Sequence, residues 1–267
     1  MSNMVCIGSG NMGFALMRGA SNNTAIFFTD AVFEKARQAA ESLGAKALNT
    51  NLEAAQKGDF IFLAVKPQVM SHVLSEISGI MKDRLNEGFP PVLVSMAAGW
   101  SIKKIQDTVG TKVPVVRVMP NTPAIIGKGM IAMSVSPEVS EEKNAELTGF
   151  LGSAGIVDHL NESYMDAATG LSGSGPAYVF IFIEALADGG VRAGLPRDIA
   201  LRYAVQTVLG AASLAQETGK YPGELKDMVT SPGGTTIAGI AALEKGAFRG
   251  AVISAVEAAW KRSTELG

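Results

Sequence analysis

The sequence predicts two folds in tandem: a doubly wound α/β sheet over residues 1–160 and an all-helical domain over residues 161–267. Three observations carry this. Short apolar runs alternate with helical stretches through the first half, the pattern of a parallel sheet with crossover helices. A glycine-rich turn follows the first of those runs directly. After about Asn161 the strand signal stops, and every long segment has helical character.

The runs Met4-Val5-Cys6-Ile7, Ala25-Ile26-Phe27-Phe28, Phe60-Ile61-Phe62-Leu63-Ala64-Val65, Val92-Leu93-Val94 and Val115-Val116-Arg117-Val118 read as buried strands. Continuous apolar runs of this length suit a sheet covered on both faces. Two more strands are expected at 130–135 and 156–158. A helix is expected over 32–43, where Val32, Phe33, Ala36, Ala40 and Leu43 share one face and Gly44 supplies the stop. In the second half, helices are expected over 176–193, 197–218, 223–229, 235–245 and 248–266. Gly194-Leu195-Pro196 and Thr218-Gly219-Lys220-Tyr221-Pro222-Gly223 are the breaks. The first of these helices is apolar nearly all round through Tyr178-Val179-Phe180-Ile181-Phe182-Ile183. Such a helix must be buried on every side, more than a small helical domain can manage alone, so a second subunit is expected against it.

The chain has 267 residues, 47% hydrophobic and 18% charged, with a net charge of −2. That balance, without a Lys/Arg-rich block, argues against a nucleic-acid partner. Cys6 is the only cysteine, and His72 and His159 are the only histidines and lie far apart. No disulfide framework, metal site or Ser-His-Asp triad is expected. The apolar run 177–183 is broken by Glu184 and is far below the roughly 20 residues of a membrane span. Residues 1–7 lack the basic start and long apolar core of a secretory signal. A cytoplasmic protein with no membrane partner is expected.

Gly8-Ser9-Gly10-Asn11-Met12-Gly13 ends the first strand and opens a helix. There the glycines permit a tight turn and close approach of a pyrophosphate, which rests on the helix N-terminus. Asp30, after Thr29 at the end of the second strand, stands where a carboxylate takes the ribose 2′-OH of NAD, or where it caps the next helix. No arginine sits in 29–33, although Lys35 and Arg37 follow. Val65-Lys66-Pro67-Gln68 and Met119-Pro120-Asn121-Thr122-Pro123-Ala124 fall at the carboxyl ends of strands, where such sheets place ligands. The segment Ser231-Pro232-Gly233-Gly234-Thr235-Thr236 begins a helix with two glycines and two hydroxyls in its first turn. Unpaired N–H groups there attract a carboxylate. An ordinary N-cap, made by Ser231 or a threonine, is the alternative.

Together with Leu171-Ser172-Gly173-Ser174-Gly175-Pro176-Ala177-Tyr178, these motifs resemble the pyrroline-5-carboxylate reductase family, in order and over nearly the whole chain. The resemblance implies NAD(P)H-dependent reduction of Δ1-pyrroline-5-carboxylate to L-proline, the last step of proline synthesis. It implies a Rossmann domain followed by a helical dimerisation domain, with interlocked dimers that commonly build decamers. It also implies that Ser231, Gly233, Gly234, Thr235 and Thr236 bind the substrate carboxylate and nitrogen, with Thr236 the hydroxyl nearest the chemistry. Ser174, Gly175, Pro176 and Ala177 would complete the pocket; Ala64, Val65, Lys66, Pro67 and Asn121 would border the nicotinamide, Asn121 also facing the substrate. Gly8, Ser9, Gly10, Asn11, Met12, Gly13, Thr29 and Asp30 would hold the rest of the cofactor. Many members carry Ser/Thr-Asn-Arg after the second strand, which suits NADPH; Thr29-Asp30-Ala31 leans instead toward NADH. Two other readings differ in class. A β-hydroxyacid dehydrogenase needs a lysine early in its second domain, and none occurs between Lys143 and Lys220. A non-catalytic NAD(P)-binding regulator would be expected to show a DNA-binding module or a basic face.

Overall fold

Apolar residues of the first strand face both ways, so helices must cover both sides of the sheet. The computed structural model describes residues 2–19 and 24–266. Strand β1 (Asn3–Ile7) pairs in parallel with β2 (Ala25–Thr29) on one side and β4 (Phe60–Leu63) on the other. With β3 (Lys46–Ala47), β5 (Val92–Ser95), β6 (Val115–Met119), β7 (Gly129–Val135) and β8 (Gly155–His159) the order is β3-β2-β1-β4-β5-β6-β7-β8. Met4, Cys6, Phe60 and Phe62 join one core layer, under α1 (Asn11–Arg18), α2 (Phe33–Leu43) and α6 (Glu141–Gly152). The alternate residues Val5, Ile7, Ile61 and Leu63 join the other, under α3 (Asn51–Lys57), α4 (Met70–Asn86) and α5 (Ile102–Val109). That period-two division is what continuous apolar strands require.

The sheet departs from the expected all-parallel pattern at one place: β7 runs antiparallel to β6. The connection 120–128 is a single 3₁₀ turn, Thr122–Ile126, closed by Gly127 at φ +72°. A parallel return needs a crossover of a dozen or more residues. Strand β3 has no counterpart in the sequence reading because Lys46–Ala47 is too short to carry a periodic signature.

The chain divides into two compact units, Met1–Ser174 with Ala259–Gly267, and Gly175–Ala258. This division differs from a boundary after residue 160. Residues 162–174 and the end of the last helix belong with the sheet. The helix expected from 176 is preceded by α7 (Met165–Ala168) and a π-turn (Thr169–Gly173), and then runs as α8 (Gly175–Arg192). The other helices are α9 (Arg197–Thr218), α10 (Pro222–Met228), α11 (Thr235–Lys245) and α12 (Phe248–Glu265).

Within the single chain α8 is not enclosed: Phe180 is 62% and Ile181 67% exposed, and only Ala187 of that helix is buried. Within the helical stretch Glu162–Arg192 an 18-residue window reaches a mean hydropathy of 1.3, by length and composition alone apolar enough to cross a membrane.

Candidate active site

Candidate site residues occur in both units. At the nucleotide end, β1 delivers the glycine turn to the crevice between β1 and β4, where the strand order reverses. Gly8 sits at φ +99°, and its N–H bonds the Thr29 carbonyl at 2.8 Å. A Cβ there would lie 2.7 Å from the Ala64 carbonyl oxygen. A Cβ on Gly13 would lie 2.7 Å from Cys6 Sγ and 2.8 Å from both Ala64 Cβ and the Gly8 carbonyl oxygen. These two glycines therefore let α1 pack against the strands. Gly10 is different: it forms the exposed N-cap of α1, and a Cβ on it meets nothing within 4 Å. Its space is open for a ligand. The Ser9 hydroxyl is buried beside it with no partner among the described residues. No acidic residue occupies the first turn of α1, and no side chain caps it. A cradle of unpaired amides, one open glycine and an orphaned hydroxyl fits a pyrophosphate.

Asp30 braces this turn. One carboxylate oxygen accepts from Ser9 N at 2.8 Å, and the other accepts from Val32 N at 3.0 Å at the start of α2. The two alternatives for Asp30 are thus not exclusive. It supports the start of α2 and at the same time holds the glycine turn at Ser9, at the carboxyl end of β2. Arg37 is engaged by its own helix, 2.6 Å from Glu34 and 2.6 Å from Glu41; its hydrogen bonds hold the Glu34 carboxyl below the usual range.

Three loops line the carboxyl edge of the sheet. Lys66 is exposed and leads into a 3₁₀ turn, Pro67–Val69, anchored where the Pro67 carbonyl accepts from Trp100 Nε1 at 3.0 Å. Trp100 belongs to the loop 96–100 after β5, which the sequence reading passed over. Its signal was Gly99, here at φ +73°, beside a tryptophan. Asn121 follows β6 and is 9% exposed. Its Oδ1 accepts from Met130 N at 2.9 Å, and its Nδ2 donates to the Ser172 carbonyl at 3.0 Å. A second feature missed in the sequence is a buried charge on β6. Arg117 lies 3.1 Å from Asp166 and 3.6 Å from Glu162, and Ser263 donates to the same Asp166 oxygen at 2.8 Å. An arginine inside an apolar strand was the available sign.

In the other unit, Ser231-Pro232-Gly233-Gly234 turns tightly into α11. Gly233 is at φ +66°, and Gly234 N bonds the Ser231 carbonyl at 3.1 Å. A Cβ on Gly234 would run into Ser231 Oγ. Gly234 is the N-cap, and no side chain bonds the first turn. The ordinary capping alternative for Ser231 and the threonines is thereby removed. Ser231 and Thr235 are exposed and Thr236 is half-buried, so a turn of unpaired amides with adjacent hydroxyls faces outward. Ser174 ends the π-turn and Gly175-Pro176-Ala177 opens α8. His72 and His159 are exposed, and His159 Nε2 lies 3.2 Å from Thr148 Oγ1. Neither is on these loops.

Residues 162–266 match the family model described as pyrroline-5-carboxylate reductase dimerisation. Residues 3–99 match the model of an NADP oxidoreductase, coenzyme F420-dependent. The chain is 47% identical to the pyrroline-5-carboxylate reductase of Glycine max, over 97% of this chain and 94% of that one. The chain belongs to the pyrroline-5-carboxylate reductase family. The Escherichia coli (strain K12) member is 40% identical over 97% of this chain and 96% of its own. Among solved structures, the NADP-bound pyrroline carboxylate reductase of Plasmodium falciparum superposes with a TM-score of 0.89 at 32% identity, covering 100% and 98% of the two chains. The Coxiella burnetii pyrroline-5-carboxylate reductase does so with a TM-score of 0.90 at 32% identity, over the same shares. The Rossmann-type sheet and helical second domain are therefore those of the family.

Proposed function

We propose that the chain reduces Δ1-pyrroline-5-carboxylate to L-proline with NADH or NADPH. It is an NAD(P)H-dependent oxidoreductase acting on a C=N bond. The observation that carries the reading is the uncapped first turn of α11, with Gly233 in the left-handed region and Thr236 beside the free amides. That turn suits a small carboxylate with a neighbouring nitrogen. The nicotinamide, once bound, supplies the hydride that reduces the imine carbon, and the protonated ring nitrogen becomes the product amine. The protein's part is to hold and orient. The amides of Gly234, Thr235 and Thr236 bind the carboxylate, with Ser231 and Gly233 shaping the turn. The Thr236 hydroxyl hydrogen-bonds the ring nitrogen, and Ser174, Gly175, Pro176 and Ala177 close the pocket. Gly8, Ser9, Gly10, Asn11, Met12 and Gly13 hold the pyrophosphate, Thr29 and Asp30 the adenosine ribose, and Ala64, Val65, Lys66 and Pro67 the nicotinamide side.

Asp30 supports use of NADH, since a carboxylate beside the ribose repels a 2′-phosphate; Arg37, held by two glutamates, offers that phosphate little. The exposed apolar surface of α8 and the dimerisation match support a homo-oligomer built from interlocked dimers; further assembly to a decamer and work in the cytoplasm belong to the same reading. The test follows nicotinamide absorbance with pyrroline-5-carboxylate as substrate. Thr236→Ala should lower kcat by about 100-fold, the scale of one lost transition-state donor, with little change in cofactor affinity. Wild-type turnover absent with both cofactors would refute the reaction, and unchanged kcat in the variant would remove Thr236 from it. In the same assay Asp30→Ala should shift kcat/KM toward NADPH.

A further inference from the structure

The helix that leads into α8 carries one residue too many. Thr169–Gly173 forms a π-turn, in which Ser174 N bonds the Thr169 carbonyl at 2.9 Å, five residues back. Such insertions weaken a helix locally and recur where a side chain or backbone group must be placed for function. The Ser172 carbonyl lacks its usual helical donor, because the residue four places on is Pro176, which has no N–H; it accepts instead from Asn121 Nδ2 at 3.0 Å. The other end of the same amide accepts from Met130 N at 2.9 Å. A backbone N–H on one side and a carbonyl on the other leave only one way round for the Asn121 amide. Asn121 lies directly after β6, at the carboxyl edge of the sheet, and is almost fully buried.

We propose that Asn121 is a positioning residue: its amide ties the π-turn at Ser172 to the start of β7 and so fixes Ser174 and the opening of α8, rather than touching nicotinamide or substrate itself. This rests on the reading above, in which Ser174–Ala177 closes the substrate pocket. A direct ligand role would fall to the one N–H and one lone pair the amide has left, since giving up either backbone partner would leave a buried carbonyl or N–H without a bond. The tether also gives the weakened helix a fixed point at Ser172, the carbonyl that Pro176 leaves without a helical donor.

Asn121→Asp tests this in the full-length enzyme, because it keeps an acceptor for Met130 N and replaces the donor to Ser172 by an oxygen. The expected result is a KM for pyrroline-5-carboxylate raised by about fivefold or more, the scale of one lost hydrogen bond. NADPH dissociation constants, read by nicotinamide fluorescence, should stay within about twofold of wild type. Amide hydrogen exchange over 165–176 should quicken by about tenfold, while exchange over 4–13 stays unchanged. A clearly weakened NADPH complex with 165–176 still protected would make Asn121 a cofactor ligand and overturn the proposal. A lower Tm with KM and kcat unchanged would overturn it as well, leaving a purely structural bond. Should the aspartate variant not fold, Asn121→Ala removes both bonds without adding charge and is judged by the same three readings. Wild-type enzyme inert toward pyrroline-5-carboxylate would defeat the proposed reaction alone; exchange and NADPH titration would still decide the tether.

Discussion

One substitution, glycine to alanine, placed at each of the three glycines of the nucleotide turn, should give three different outcomes. At Gly8 the new methyl lies 2.7 Å from a main-chain carbonyl oxygen and the backbone is at φ +99°. Strain of about 1–3 kcal/mol and overpacking of another 1–3 kcal/mol give a loss near 4 kcal/mol. At Gly13 the backbone is helical, and only the close contacts with Cys6, Ala64 and Gly8 remain, so the loss is about 1–3 kcal/mol. At Gly10 nothing lies within 4 Å. The weaker N-cap propensity of alanine, about 0.5–1 kcal/mol, is offset by a similar reduction in unfolded-chain entropy, about 0.4–1 kcal/mol. Stability should be unchanged. The same methyl occupies the space assigned to the pyrophosphate, however, so cofactor affinity should fall by about tenfold or more, or 1.4 kcal/mol. Urea unfolding of the cofactor-free proteins and fluorescence titration with NADPH and NADH separate the two effects. A folded Gly10→Ala protein that binds both cofactors like wild type would refute the pyrophosphate cradle. A Gly13→Ala protein as stable as wild type would refute the packing role assigned to that glycine.

Two further outcomes concern the same unit. Asp166→Ala leaves Arg117 buried with only Glu162, 3.6 Å away, and should cost about 2–3 kcal/mol, less than the full loss of a buried pair because Glu162 remains; denaturant midpoints measure it, and a loss under about 0.5 kcal/mol would mean the cluster is screened like a surface pair. Burial pushes the Cys6 thiol pKa up, with the nearby Asp30 charge adding to it. The folded state therefore keeps this proton after the unfolded chain has lost it. Stability should decline as pH rises above about 8.5, by up to about 1.4 kcal/mol per unit, and Cys6→Ala should abolish that part of the slope.

The strands of the sheet were legible because each buried run is apolar on both faces, as Phe60-Ile61-Phe62-Leu63 shows. The glycine turn was legible because its spacing serves two separate needs, packing at Gly8 and Gly13 and access at Gly10. The Ser231–Thr236 motif was legible as a helix start because its glycines and hydroxyls come just before apolar residues at helical spacing, Ile237, Ile240 and Leu243. What was hidden depends on contacts remote in sequence. Arg117, Asp166 and Ser263 meet only after the chain has crossed the helical unit and returned. The reversal of β7 lay in the length of a connection rather than in the strand itself, and the π-turn in one extra residue among small, turn-prone neighbours. The commitments of Asn121 to Met130 and Ser172 follow from no local pattern.

The return of the chain end has a practical consequence. Because Ser263 completes the bonding of Asp166, the sheet unit is assembled from two separate stretches of polypeptide. A gene fragment stopping at residue 174 would yield a sheet lacking its final helical turns, with Asp166 short of the donor that Ser263 supplies. Isolating this unit for binding studies calls instead for a graft: residues 1–174 joined by a short linker to the segment that begins at Ala259.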